Sequence, residues 1–371
     1  MMYIPIVLIL AAVGGLIIST DNLAQFGADP AGTRLERIQR SPNFNGEVFV
    51  NPIETNLTFE FSHATDMLGR SMFGKNERVP KMEIPVKKLD KTSFDSAPEN
   101  GFRITPFGHS TLLVEIDGKK ILTDPVWSER CSPSTLFGPI RFHQPPMPLE
   151  DLPPIDIALI SHDHYDHLDK EAVITLAKTG TLFVLPLGVG SHFEEWEIDP
   201  SQIVELDWWE TFKTSDHGIS LTATPARHFS GRGLNNRFTT LWSTWVIVGQ
   251  KHRLFFSGDT GPFPGFSEIG EKFGPFDVTL IKIAAYDRAW PDVHLNPDQA
   301  VDAHVALKGK LLIPIHWGTY NLAYHDWFEP PNRVINAAEK LSIQFALPRF
   351  GKMVDPSNPP PLEKWWEESD E

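Results

Sequence analysis

The chain has 371 residues, is 41% hydrophobic and 22% charged, and carries 33 Lys+Arg against 48 Asp+Glu, a formal charge of −15. That balance gives no electrostatic footprint for duplex nucleic acid or an anionic membrane, so no nucleic-acid partner is expected. A single cysteine, Cys131, excludes an intrachain disulfide framework and a cysteine-rich metal site.

The first predicted element is YIPIVLILAAVGGLIIS, Tyr3 to Ser19, uncharged throughout. As a helix it would reach about 25 Å, a little short of a ~30 Å hydrocarbon core. No Lys or Arg precedes it and no A-x-A cleavage site stands out. Residues 1–20 therefore read as a membrane anchor ahead of a cleaved signal, and as either ahead of a buried core helix. Arg34, Arg37 and Arg40 follow, which leans towards a cytoplasmic body and leaves the side of the membrane open. Membrane association through this segment is the expectation. Residues 21–100 are polar and proline-interrupted, and read as an irregular extension lying on the main body.

From Gly101 the pattern changes. FGHSTLLVEIDGKKILTDPVW alternates apolar and polar residues around Asp117-Gly118, a strong hairpin signal. Strand runs follow at Ile155–Ile160, Leu182–Leu185, Ile203–Leu206, Ile219–Ala223, Thr244–Val248, Arg253–Phe256, Val278–Ile283 and Leu311–Ile315. Two helices are signposted. One has Asp169 as N-cap and Gly180 past its end; the other has Asn296 as N-cap, Pro297 at its first position and Gly309 at its close. Strands interleaved with helices predict an α/β layered domain over residues 101–355, followed by an acidic tail, 356–371.

The stretch SHDHYDHLD, residues 161–169, sets three histidines and three aspartates directly after the apolar run IDIALI. A solvated loop needs no histidine, and a buried one must satisfy every ring and carboxylate, which a metal does. Residues two apart in extended backbone point the same way, so His162 and His164 can face one ion. Asp166 and His167 come after the turn, and can face a second point nearby. Nitrogen and carboxylate donors without thiolates suit zinc, iron or manganese. His228, Asp259 and His316 each stand where an apolar run stops, and are the candidates for the remaining ligands. A lone histidine beside a strand is more often a core residue. Three such residues with the dense loop point to a metal.

Taken in order, LISHDHYDHLD, IVELDWWE, TPARHFSGRG, FFSGDTG, FGPFDVTLI, NPDQAV and IHWGTYNLA resemble the metallo-β-lactamase superfamily, and within it the N-acylphosphatidylethanolamine-hydrolysing phospholipase D branch. The likeness runs from Gly101 to Gly351. It implies a four-layer αβ/βα sandwich and two zinc ions (Zn2+) per chain. By that pattern His162, His164 and His228 hold one ion, Asp166, His167 and His316 hold the other, and Asp259 bridges them.

The implied reaction releases N-acylethanolamine and phosphatidic acid from N-acylphosphatidylethanolamine. The implied partners are a phospholipid substrate and a membrane, with a homodimer among the expected assemblies. His294, in DVHLNPDQA, takes the place of a histidine that contacts the phosphate. His294 or a protonated Asp259 would then supply the proton to the leaving alkoxide. The bland alternative for His294 is a hydrogen bond near the helix that opens at Asn296. Asp124 in LTDP is expected to orient the metal loop, and His109 in GHST to do the same or to sit in the core. Arg227 and Arg288 are candidates for a phosphate contact or for plain solvation. Rival readings are another hydrolase on the same site (a lactonase, β-lactamase or nuclease), an iron redox enzyme, and a non-catalytic membrane-associated metal-binding protein.

Overall fold

The computed structural model describes residues 24–57, 61–214, 218–233 and 235–367. The expected anchor, residues 1–20, lies outside them. Chain order is α1 (Gly32–Gln39), α2 (Phe61–Phe73), β1 (Phe102–Gly108), β2 (Thr111–Ile116), β3 (Lys119–Thr123), β4 (Ile157–Leu159), α3 (Lys170–Ala177), β5 (Leu182–Pro186), α4 (Gly190–Glu195) and β6 (Ile203–Leu206). It continues with β7 (Thr211–Lys213), β8 (Ser220–Thr224), β9 (Thr244–Val248), β10 (Arg253–Phe256), α5 (Gly265–Phe273), β11 (Phe276–Lys282), α6 (Pro297–Ala306), β12 (Gly309–Ile315), α7 (Glu329–Lys340) and β13 (Gln344–Phe345).

Two mixed sheets form, one ordered β1-β2-β3-β4-β5-β6 and the other β13-β12-β11-β10-β9-β8-β7. The hairpin forms at the expected place: β2 and β3 pair from Leu112↔Thr123 to Ile116↔Lys119. Asp117 and Gly118 take left-handed φ values of 47° and 86° there, as a tight hairpin turn with the sheet's own twist requires. Period-2 alternation then sorts the side chains. Leu112, Val114 and Ile121 face Leu221, Ile247, Phe256 and Leu280 of the other sheet. Leu113, Leu122 and Phe183 face outward onto Val173 and Leu176 of α3 and Phe193 of α4. On the far side Phe255 and Phe276 meet Ile269 of α5, Val301 of α6 and Val334 of α7. Helix, sheet, sheet, helix is the layering of the metallo-β-lactamase fold.

Both signposted helices form where expected. Asp169 accepts a hydrogen bond from Glu171 N at the start of α3, and Asn296 and Gln299 cap α6 reciprocally behind Pro297. The stretch before residue 100 contains α1 and α2 instead of being irregular throughout. It is fixed to the body by Asn51, whose side chain donates to His228 O and accepts from His228 N, both at 2.8 Å.

The membrane expectation is corrected here. Among the described residues no helix is long and apolar enough to cross a membrane. The longest of them, α2, has 13 residues, about 20 Å of rise against a ~30 Å hydrocarbon core. The phospholipid and homodimer partners inferred alongside that association have no described element to carry them, and are withdrawn with it.

Candidate metal centre

The strands deliver the site from their ends. β4 runs into the Ser161–Asp169 loop, β8 leads to His228, β10 to Asp259, β11 towards His294 and β12 to His316. The two sheets are pinned together at this edge, where Trp245 Nε1 donates to Ile160 O at 2.9 Å and Ser243 N to Ser161 O at 2.9 Å. His109, Asp124 and His316 are held at φ 53°, 34° and 65°. Such left-handed conformations in residues other than glycine are costly and persist where the surroundings over-determine them.

Two donor sets result. His162 Nε2 lies 2.9 Å from His164 Nδ1, and His228 Nε2 lies 3.3 Å from that same atom, so three ring nitrogens converge. In the second set Asp166 Oδ2 lies 3.3 Å from His167 Nε2 and 3.4 Å from His316 Nε2. Asp259 stands between them. Its Oδ1 is 3.0 Å from His316 Nε2 and 3.5 Å from His167 Nε2, while its Oδ2 is 3.8 Å from His228 Nε2. His167 Nε2 and His316 Nε2 are buried with no hydrogen-bond partner. An orphaned buried ring nitrogen is costly, and a cation facing a carboxylate-lined point would satisfy both. The residues fit a metal, and the clusters can bind one or more ions.

Neighbours fix the tautomers. His167 Nδ1 donates to Asp124 Oδ2 at 2.6 Å, and Asp124 also accepts from Ser161 N and Oγ. His228 Nδ1 donates to Val293 O at 3.0 Å. In both rings the Nε2 lone pair is left for the site, the usual second layer around a metal. Burial holds His162 and His228 well below the ordinary imidazole pKa, reinforced by neighbouring imidazoles at His162 and against the pull of Asp259 at His228, so both stay in the neutral form that ligates. Burial disfavours the charges of Asp166 and Asp259, yet the surrounding cations outweigh it and keep both carboxylates ionised. Burial likewise opposes charge on His167, but Asp166, Asp259 and Asp124 together favour a positive charge at this ring, which a cation bound at Nε2 would supply in place of a proton.

A model of the beta-lactamase superfamily domain matches residues 119–317. The chain belongs to the metallo-β-lactamase superfamily. An uncharacterized protein of Mycobacterium tuberculosis is 42% identical over 348 residues, 92% of each chain. The N-acyl-phosphatidylethanolamine-hydrolyzing phospholipase D 1 of Caenorhabditis elegans is 38% identical over 307 residues, 78% of this chain and 86% of its own. Among solved structures, Igni18, a metallo hydrolase from the archaeon Ignicoccus hospitalis, matches with a TM-score of 0.53 at 23% identity. That match covers 68% of this chain and 97% of Igni18, a likeness of fold alone. The chain is thus a metal-binding hydrolase of the metallo-β-lactamase fold.

All seven residues expected as ligands meet at this one floor. Other expectations fare differently. Asp163, inside the loop, turns away and accepts from His192, Thr240 and Gly231 N. His294 does not serve the helix after it, which Asn296 caps; its ring turns to Lys282 and lies 3.7 Å from Asp259 Oδ2. Arg227 is taken up by Glu54 O, Thr55, Pro262 O and Asp292, and Arg288 by Asp66. His109 Nε2 lies 2.9 Å from Asp166 Oδ2, with its pKa pushed down to about 3 by burial and then by His316.

Lys282 escaped the sequence reading altogether. Fully buried at the end of β11, it lies 3.2 Å from Asp259 Oδ1, and burial lowers its pKa to about 8 against the pull of that carboxylate. A cavity of about 330 Å³ opens over the floor. Its walls include Leu57, Phe229, Trp290, Val293 and Leu322, with Arg237 at one side. The Arg237 guanidinium lies over the Phe229 and Phe238 rings, 4.6 and 5.0 Å from their centroids.

Proposed function

We propose that the chain hydrolyses phosphodiesters at a pair of divalent metal ions, zinc being the ion this donor set suits best. The observation that carries the reading is Asp259, which faces both donor sets from the floor of the cavity. His162, His164 and His228 would hold one ion; Asp166, His167 and His316 would hold the other. Bound there, the metal supplies Lewis-acid polarisation of an ester and a water that is nucleophilic near neutral pH.

The chain's own residues do the rest. Asp124 and Val293 O keep His167 and His228 in the ligating tautomer. His294 faces the cavity beside Asp259, where a ring N–H can meet a phosphoryl oxygen. Arg237 adds a positive charge on the cavity wall, which favours an anionic ester over a neutral one. Leu57, Phe229, Trp290 and Leu322 exclude water and accommodate an apolar substituent.

The test is metal analysis combined with a panel of soluble alkyl and nitrophenyl phosphodiesters, lactones, a β-lactam and N-acylphosphatidylethanolamine, the substrate named for the worm relative. Two ions per chain and turnover of diesters are expected. Turnover of lactones or β-lactams with none of the diesters would move the reading to carbonyl esters on the same floor. Turnover of the N-acylated lipid far above the other diesters would narrow it to the phospholipase D reaction.

A further inference from the structure

Among the described residues lining the cavity, Arg237 alone carries a permanent positive charge. An exposed arginine ordinarily meets only water, but this one is built in. Its guanidinium is laid on the faces of Phe229 and Phe238, 4.6 and 5.0 Å from the ring centroids. The backbone beneath it is pinned: Phe238 N donates to Ser230 O at 3.1 Å, and Phe238 O accepts from Phe49 N at 3.0 Å. Phe238 is held at φ 65°, a costly conformation for an aromatic residue. Gly231 leaves room for the close approach, since a Cβ there would lie 3.1 Å from Arg237 Cα. Among the described residues no carboxylate pairs with the guanidinium; burial alone acts on its pKa, downward, with no acid pulling it up. Asp166 and Asp259 share the cavity, yet both turn to the histidine donors. The Phe229 ring meets His164 edge-on, centroids 4.6 Å apart, and carries the guanidinium on its face. Arg237 is therefore set beside the three-histidine donor set with an aromatic ring as spacer. Stacking covers the faces of a guanidinium and leaves free its N–H edge, which binds carboxylate or phosphate in plane.

We propose that Arg237 forms a subsite for a second anionic group of the substrate, a carboxylate or a phosphate monoester carried on a substituent of the scissile diester. The scissile phosphorus itself belongs on the floor between the donor sets, a placement that rests on the phosphodiester reading. A guanidinium mounted on a ring beside that floor, and paired with neither of its carboxylates, serves a different charge. The chain's net charge of −15 gives a doubly charged ester no help from the protein at large, so its recognition falls on a local contact. The substrate class that follows is an asymmetric diester. One apolar substituent lies against Trp290 and Leu322, and one short acidic substituent reaches Arg237.

The experiment uses the zinc-loaded full-length chain and a matched set of alkyl nitrophenyl phosphodiesters whose alkyl ends are a carboxylate, a phosphate monoester or a methyl ester. The wild type is expected to favour an acidic end over the methyl ester by about 10-fold or more in kcat/KM, chiefly through KM, the usual worth of a hydrogen bond to a charged group. The better of the two acids names the group. In Arg237→Gln that preference should vanish, and Arg237→Lys should restore only part of it, because an ammonium is a point charge without the stacked planar edge. No acid preference in the wild type, a preference that survives Arg237→Gln, or full recovery in Arg237→Lys would overturn the proposal. If the chain turns over no diester, the phosphodiester reading fails and binding decides this one, by calorimetry with carboxybutylphosphonate and pentylphosphonate. The carboxylate-tailed compound is expected to bind the wild type about 10-fold more tightly than its neutral-tailed counterpart, and Arg237→Gln no more tightly. Equal binding of the two to the wild type, or binding of neither, would overturn the proposal.

Discussion

Ser161–Asp169 and Lys282–His294 bring side chains to the same floor by opposite routes. The first packs its donors into one turn after β4 and offers them through lone pairs, with Asp124 and Ser161 taking up the hydrogens behind. The second starts from a lysine at the end of an apolar strand and returns to the site at His294, whose ring is turned to that lysine. The difference teaches that a ring reaches the metal floor either through local spacing in one loop or through a contact between distant residues. What each ring does is decided by the partner of its other nitrogen.

Asp259→Asn should break the comparison most severely, since this residue faces both stretches at once. The amide keeps the shape but removes the charge shared by two proposed ions and by Lys282. Weaker binding of at least one metal and turnover near background are expected from metal titration and steady-state kinetics. Wild-type rates would place the shared carboxylate elsewhere. His164→Ala acts on the loop alone. Because His164 Nδ1 is the atom on which His162 and His228 converge, its loss should remove one ion and the activity together. Retention of both ions would refute its place among the ligands. Asp124→Asn leaves every proposed ligand in place and disturbs the hydrogen behind His167 together with the bonds from Ser161 that steady the loop. A fall of roughly 10–100-fold in metal affinity is expected, the usual cost of losing an outer partner, and an unchanged affinity would show that Asp124 orients nothing.

These expectations also mark what could be read from the sequence. The layered fold was legible because runs such as Thr244–Val248 and Arg253–Phe256 are bounded sharply, and because Asp117-Gly118 and Asn296-Pro297 carry their own local geometry. The convergence of His228, Asp259 and His316 was legible because three ionisable residues, each just past an apolar run, accompany the dense loop of residues 161–169. Lys282 was not. In DVTLIK it reads as a solvated residue closing an apolar run, and only the parallel pairing of β11 with β12, Lys282 opposite Ile315, shows that its end is buried. His294 was visible as a candidate, but its pairing with Lys282 was not, since that is a contact across 12 residues. Asp163, which was not among the expected ligands, has a different role. It shares the dense loop with the donors, yet serves as an anchor for its backbone.

The smallest effect concerns a histidine of neither stretch, and it isolates burial from metal chemistry. His304 is fully buried on α6, with Nδ1 2.7 Å from Thr279 Oγ1 of β11, and burial pushes its pKa down to about 4. In the unfolded chain an imidazole titrates near pH 6.5, so between about pH 6.5 and 4 the unfolded state binds more protons than the folded one. The stability linked to His304 is therefore complete above pH 6.5 and is lost as pH falls through that window, by about 3 kcal/mol at most. His304→Gln can keep a hydrogen bond to Thr279 but has nothing to titrate. The variant is expected to be the less stable protein at neutral pH, through imperfect packing, and to lose less stability on acidification. Urea unfolding followed from pH 7 to 4 should show the gap between the two closing. Protonation of the metal-site histidines acts on both proteins alike, since His304 is not among them, and so cancels from the difference. Curves that stay parallel throughout would mean that His304 titrates in the folded chain as it does in the unfolded one.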